Sequence, residues 1–166
     1  GSNLVRELVR VDHSVSVLDD LSTGLESNLE GLPVEFVRGS ITDLDVVQDC
    51  ACGASAIVHL AARGAVPRSL QNPLATHHVN ATGTVNVLEA ARANNSYVVF
   101  SSSSSVYGVN MTSPKSEAIP ISPVSPYAAS KASGEVYAAA YARSFEVPVL
   151  VFRFFNVFGP GQRPDH

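Results

Sequence analysis

Tyr97-Val98-Val99-Phe100 is a short run of aromatic and β-branched residues. It is too short for a buried helix and has the composition of a strand. Before it, Pro73–Asn94 places Val79, Val85, Leu88 and Ala91 close to helical spacing, and after it Pro126–Phe145 is a second helical pattern. Working outward, Ser14–Leu18, Val34–Val37, Ala56–Leu60 and Val147–Phe152 are further short apolar runs, while Ser2–Val9 and Asp43–Cys50 read as helices. Strands alternating with helices predict an α/β fold, a doubly wound parallel sheet. The strands lack polar alternation, which predicts a sheet covered on both faces.

The 166 residues suit one domain, and 45% hydrophobic against 16% charged composition excludes a disordered chain. A net charge of −4 leaves no cationic excess for a phosphate backbone, so nucleic acid is not an expected partner. No apolar run approaches the roughly 20 residues of a membrane span, and the first residues show no signal-peptide pattern. Cys50 and Cys52 make no disulfide framework, which fits a reducing, cytoplasmic setting. The chain opens on Gly1 followed directly by a helical pattern. A dinucleotide-binding sheet instead begins with a central strand and a glycine-rich turn. The expectation is therefore a fragment lacking its first strand and most of that turn, with Gly1 as the turn's last glycine and the end at Gly159–His166 cut inside a loop.

The strongest chemical signal is Tyr127-Ala128-Ala129-Ser130-Lys131. On a helix, residues four apart share a face. An ammonium beside a phenol favours the phenolate, bringing an otherwise weak base into the range of proton transfer at neutral pH. Upstream, Phe100 leads into Ser101-Ser102-Ser103-Ser104-Ser105-Val106-Tyr107-Gly108. In open α/β sheets the site lies beyond the carboxyl ends of the strands, which places these hydroxyls at the active edge. Val58-His59-Leu60-Ala61-Ala62 and Arg153-Phe154-Phe155-Asn156-Val157-Phe158-Gly159 share that position, and small residues there admit a cofactor close to the backbone.

With Gly1-Ser2-Asn3-Leu4, Leu18-Asp19-Asp20-Leu21-Ser22-Thr23-Gly24 and Asn80-Ala81-Thr82-Gly83-Thr84 added in order, the whole chain resembles the extended short-chain dehydrogenase/reductase superfamily, in particular its NAD-dependent nucleotide-sugar epimerases. The resemblance implies a Rossmann-like, partial NAD-binding domain over residues 1–166, with the C-terminal substrate lobe absent. It implies NAD contacts at Gly1, Asp19, Asp20, Ser40, Ile41, Leu60, Ala61, Ala62, Asn80, Ser101, Tyr127, Lys131 and Phe155. Asp19 would take the adenosine ribose hydroxyls and so favour NAD over NADP. Catalysis would fall to Ser103, Tyr127 and Lys131, and a UDP-sugar would be held by Ser102, Ser103, Tyr127 and Asn156. The implied reaction is epimerisation at C4 through a transient 4-keto sugar, with Tyr127 exchanging the C4 hydroxyl proton and NAD ending as it began.

Related dehydratases carry an acidic pair, and decarboxylases a glutamate, where this chain has Ser104 and Ser105, which favours epimerisation. Those two activities, and a non-catalytic dinucleotide-binding scaffold, are the alternatives. Ser102–Gly108 and Gly161–Asp165 are similar to UDP-glucuronate 4-epimerases, while Ala65-Val66-Pro67-Arg68-Ser69 is similar to UDP-N-acetylglucosamine 4-epimerases, so the sugar stays open. Ser40 stands where the family usually has an acid near adenine, and Gly64 where some members have lysine. Two copies are expected to pair through Pro73–Asn94 and Pro126–Phe145, as relatives do, and the isolated chain is expected to bind NAD weakly. No metal is expected: adjacent His77 and His78 point about 100° apart on a helix, and Cys50-Ala51-Cys52 lacks zinc-site spacing. His59 reads as structural, and Arg6, Glu7 and Arg10 as a solvated helix face.

Overall fold

The computed structural model describes residues 1–162; the Gly161–Asp165 likeness lies largely outside them. The elements run α1 (Ser2–Arg10), β1 (Ser16–Asp19), β2 (Glu35–Arg38), α2 (Leu44–Cys50), β3 (Ala56–His59), α3 (Val66–Gln71), α4 (Pro73–His77), α5 (Gly83–Asn94), β4 (Tyr97–Ser103), α6 (Pro126–Ser144) and β5 (Val149–Phe154). Every strand pairing among the described residues is parallel. β1 pairs with β2 in one sheet, and β3, β4 and β5 lie in that order in a second. Among the described residues β1 pairs only with β2, and β3 only with β4.

Local chemistry places the helices. Ser125 caps α6, its hydroxyl accepting from the Ala128 N–H at 3.1 Å, and Pro126 takes the first turn, where its missing N–H costs nothing. Asn72 and Pro73 do the same for α4, with Asn72 accepting from the Ala75 N–H at 3.0 Å. α5 ends on Asn95 in the left-handed region, φ 54°. Glu7 and Arg10 form an exposed pair on α1, as the solvated-face reading expects.

One face of the larger sheet carries Ile57, Val98, Phe100, Val149 and Val151, with Leu88, Ala91, Tyr141 and Val147 packed against it. A second cluster joins Ile41, Val47, Ala51, Val87 and Ala90. Three expectations are corrected. First, the sheet is not covered on both faces among the described residues: β5 alternates, leaving Leu150, Phe152 and Phe154 about two-fifths exposed, because the packed helices lie on the opposite side. Second, Pro73–Asn94 is helical throughout as read, but not uniformly α: one π turn, His78–Thr82, sits between α4 and α5, and α3 precedes them unforeseen. Third, β4 runs on through Ser103 and β5 runs over Val149–Phe154, two residues later than expected.

Candidate active site

Because the strands are parallel, the ends of β3, β4 and β5 meet at one edge. α6 crosses beneath it, and its approach is set by Gly134: a Cβ there would stand 2.6 Å from the Phe100 ring. This close seating brings Lys131, only 4% exposed, onto the Ser101 carbonyl, to which its Nζ donates at 2.8 Å. Nζ also lies 5.2 Å from the Phe100 ring centroid. Lys131 makes no salt bridge among the described residues. Burial alone lowers its pKa to about 8. Tyr127, half-buried, precedes it by one turn on the same helix face. A phenol and an uncompensated buried amine at a sheet edge can hold and pass a proton.

The serine tract divides into separate roles. Ser101 contributes its carbonyl to Lys131. Ser102 is buried, and its hydroxyl donates to the Glu135 carboxylate at 2.5 Å. Ser103, half-buried at the strand end, caps the short turn Ser104–Tyr107 by accepting from the Ser105 N–H at 3.2 Å.

The other expected cofactor residues separate into exposed and committed groups. Asp19 is exposed at the end of β1; its carboxylate accepts from the Leu21 N–H at 2.8 Å, and a Cβ on Gly24 would stand 3.2 Å from it. Asp20 likewise accepts from the Ser22 N–H. Leu60 and Ala62 are exposed beyond β3, Ala61 half-buried. Gly1 stands at the N-terminus of α1. Phe155 and Asn156 are exposed beyond β5. Ser40 bonds to the Thr42 hydroxyl at 2.9 Å, and Ile41 is 8% exposed with its side chain in the second core cluster.

Asn80 is 2% exposed inside the π turn. Its amide holds both backbone groups of Arg63 (2.7 and 3.2 Å) and donates to the Ser130 hydroxyl at 2.9 Å, tying the post-β3 loop to α6. A π turn is often found where a functional side chain must be aimed. Thr84 commits its hydroxyl proton to the Asn80 carbonyl at 2.6 Å, so the 2.9 Å contact with His59 must be donated by the imidazole Nε2–H. Burial, then the nearby Lys131 charge, lowers the His59 pKa to about 3, which keeps the ring neutral. This matches the structural reading of His59.

Sequence reasoning did not single out Glu135. It accepts from Ser102 and from Arg153 in a fork (3.0 and 2.8 Å), with both partners of the pair less than one-fifth exposed. The signal was present in the spacing, because Glu135 extends the Tyr127 and Lys131 stripe by another four residues. Among the described residues no His, Cys, Asp and Glu side chains cluster as metal ligands, and no helix is long and apolar enough to cross a membrane.

The sequence pattern of the NAD dependent epimerase/dehydratase family matches residues 1–166. The UDP-glucose 4-epimerase of Mycolicibacterium smegmatis is 42% identical over 99% of this chain and 55% of its own length. The dTDP-glucose 4,6-dehydratase of Streptomyces niveus is 38% identical over 99% of this chain and 53% of its own. Among solved structures, the UDP-glucose 4-epimerase of Thermus thermophilus in complex with NAD aligns with a TM-score of 0.91 at 34% identity, covering 99% of this chain and 54% of that one. The chain thus spans about half the length of the relatives it matches.

Proposed function

We propose, because the chain belongs to the NAD dependent epimerase/dehydratase family, that it is the cofactor-binding part of a nucleotide-sugar 4-epimerase acting on a UDP-hexose. The observation that carries this reading is Lys131, a buried amine with a lowered pKa and no acidic partner among the described residues, one turn from Tyr127 at the ends of β3 to β5.

The donor set fits NAD. The exposed Asp19 carboxylate suits ribose hydroxyls, the uncovered Leu60-Ala61-Ala62 stretch suits close backbone approach, and Lys131 suits the nicotinamide ribose. When bound, NAD supplies reversible hydride acceptance. The chain's own residues handle the proton: Tyr127 takes it from the C4 hydroxyl and returns it after the sugar has presented its other face, while Lys131 stabilises charge developing on the phenol oxygen. Ser103, at the strand end, orients the reacting hydroxyl, and Asn156 and Phe155 face the substrate and nicotinamide.

Epimerisation is favoured over dehydration by Ser104 and Ser105, which offer neither a strong acid nor a strong base to expel a C6 hydroxyl. In this reading two copies meet through α4–α5 and α6, whose outward faces expose Leu74, Val136 and Tyr137; a solution mass measurement reads that directly. The functional test is NMR observation of UDP-glucose and UDP-galactose incubated with the full-length protein. Interconversion supports the reading, and accumulation of a 4-keto-6-deoxy sugar replaces it with dehydration.

A further inference from the structure

We propose that Glu135 is a positioning residue: by gripping Ser102 and Arg153 together, its carboxylate sets the register of α6 that keeps Lys131 on the Ser101 carbonyl and Tyr127 at the sheet edge. The proposal rests on the function proposed above. Two tethers join α6 to β4. Lys131 bonds the backbone of Ser101, and Glu135, one turn further along, takes the hydroxyl of Ser102, the next strand residue. Consecutive residues on a strand therefore meet consecutive turns of the helix, which fixes both the helix's translation along the strand and its rotation about its own axis. Gly134 lies between the tethers against Phe100, so the helix is held where it approaches most closely.

Arg153 extends the clamp to β5. It donates three bonds to Glu135 (2.8 to 3.1 Å), and its guanidinium lies 4.8 Å from the ring centroid of the buried Tyr107. Its register partner across the ladder is Ser102. The carboxylate thus joins helix and two strand ends at once, with its charge matched by a forked guanidinium, the geometry in which such a pair is strongest.

The test uses the full-length protein. E135L/R153M removes both charges together, leaving none buried and uncompensated. We expect kcat for UDP-glucose interconversion to fall at least tenfold, with KM and bound NAD within threefold of wild type and the alkaline limb of the kcat–pH profile displaced. The Lys131 Cε resonance in 13C-lysine-labelled protein is expected to titrate at least one pH unit higher, as the amine gains water. E135Q/R153M, which keeps an oxygen for Ser102 and leaves no charge buried and unpaired, is expected to restore kcat to within threefold. If the double variant does not fold, E135D, which withdraws the carboxylate by one methylene, carries the same expectations on a smaller scale. An unchanged kcat and Lys131 titration would overturn the proposal, as would an effect confined to KM or to thermal stability. A wild-type protein that interconverts no nucleotide sugar would overturn the functional reading instead, and the Lys131 titration would still decide the role of Glu135.

Discussion

Replacing Lys131 by methionine should stabilise the protein at neutral pH while abolishing its chemistry. A fall in the amine's pKa from 10.5 to about 8 on burial means the folded state disfavours the charged form by roughly 3 kcal/mol. Methionine removes that cost at similar volume. It also removes the 2.8 Å bond to the Ser101 carbonyl, about 1 kcal/mol for a neutral amine. The net expectation at pH 7 is about 2 kcal/mol in favour of Lys131→Met. The sign then reverses. Between about pH 8 and 10.5 the unfolded chain holds a proton on residue 131 that the folded chain has released, so wild-type stability gains across this window relative to the variant. Above it the amine is neutral in both states, and wild type should lead by about 1 kcal/mol. Urea unfolding of both proteins at pH 7, 8, 9 and 10 reads the difference directly, other titrating groups being common to the two. A variant destabilised by the same amount at every pH would refute the argument, because Lys131 would then be an ordinary hydrated lysine.

Three further expectations follow from the core. His59, held neutral with its pKa near 3, should cost the protein roughly 2 kcal/mol between pH 6.5 and 5 as the unfolded chain alone takes up a proton; His59→Gln should flatten that acid limb in urea titrations. Gly134→Ala places a Cβ 2.6 Å from the fully buried Phe100 ring and should destabilise by about 1–3 kcal/mol, with a drop in kcat because α6 is pushed from β4; a thermally neutral variant would show that the helix has room to spare. Tyr141→Phe loses the 2.5 Å bond to Glu89 at the α5–α6 contact and should cost about 1–3 kcal/mol by chemical denaturation.

The strands were legible wherever β-branched residues clustered, and Tyr97–Phe100 was read in the right place. Its continuation through Ser103 was hidden because serine carries no strand signature; what holds Ser101 and Ser102 in the ladder is the Phe152 and Arg153 pairing on one side and Lys131 and Glu135 from α6 on the other. The π turn at His78–Thr82 was invisible for a similar reason. It depends on the buried Asn80 amide finding Arg63 and Ser130, residues 17 and 50 positions away. Helix α3 has six residues, Pro67 among them, and shows no sustained apolar stripe. At the site, Tyr127 and Lys131 announced themselves by spacing. The Arg153 pairing to Glu135 spans 18 residues and needed the fold to be seen. The side-chain surroundings of Ile41 and Ser102 also needed the fold: one packs in the second core cluster and the other bonds a carboxylate 33 residues away.

The most direct measurement is turnover of UDP-glucose by the full-length protein with and without the Tyr127 hydroxyl. Tyr127→Phe changes one oxygen and should leave NAD binding and folding intact, while slowing C4 interconversion by about 10²–10⁴-fold, the range for a proton-transferring group. A Tyr127→Phe protein that interconverts UDP-glucose and UDP-galactose at the wild-type rate would contradict the assignment of this phenol and of the amine one turn below it.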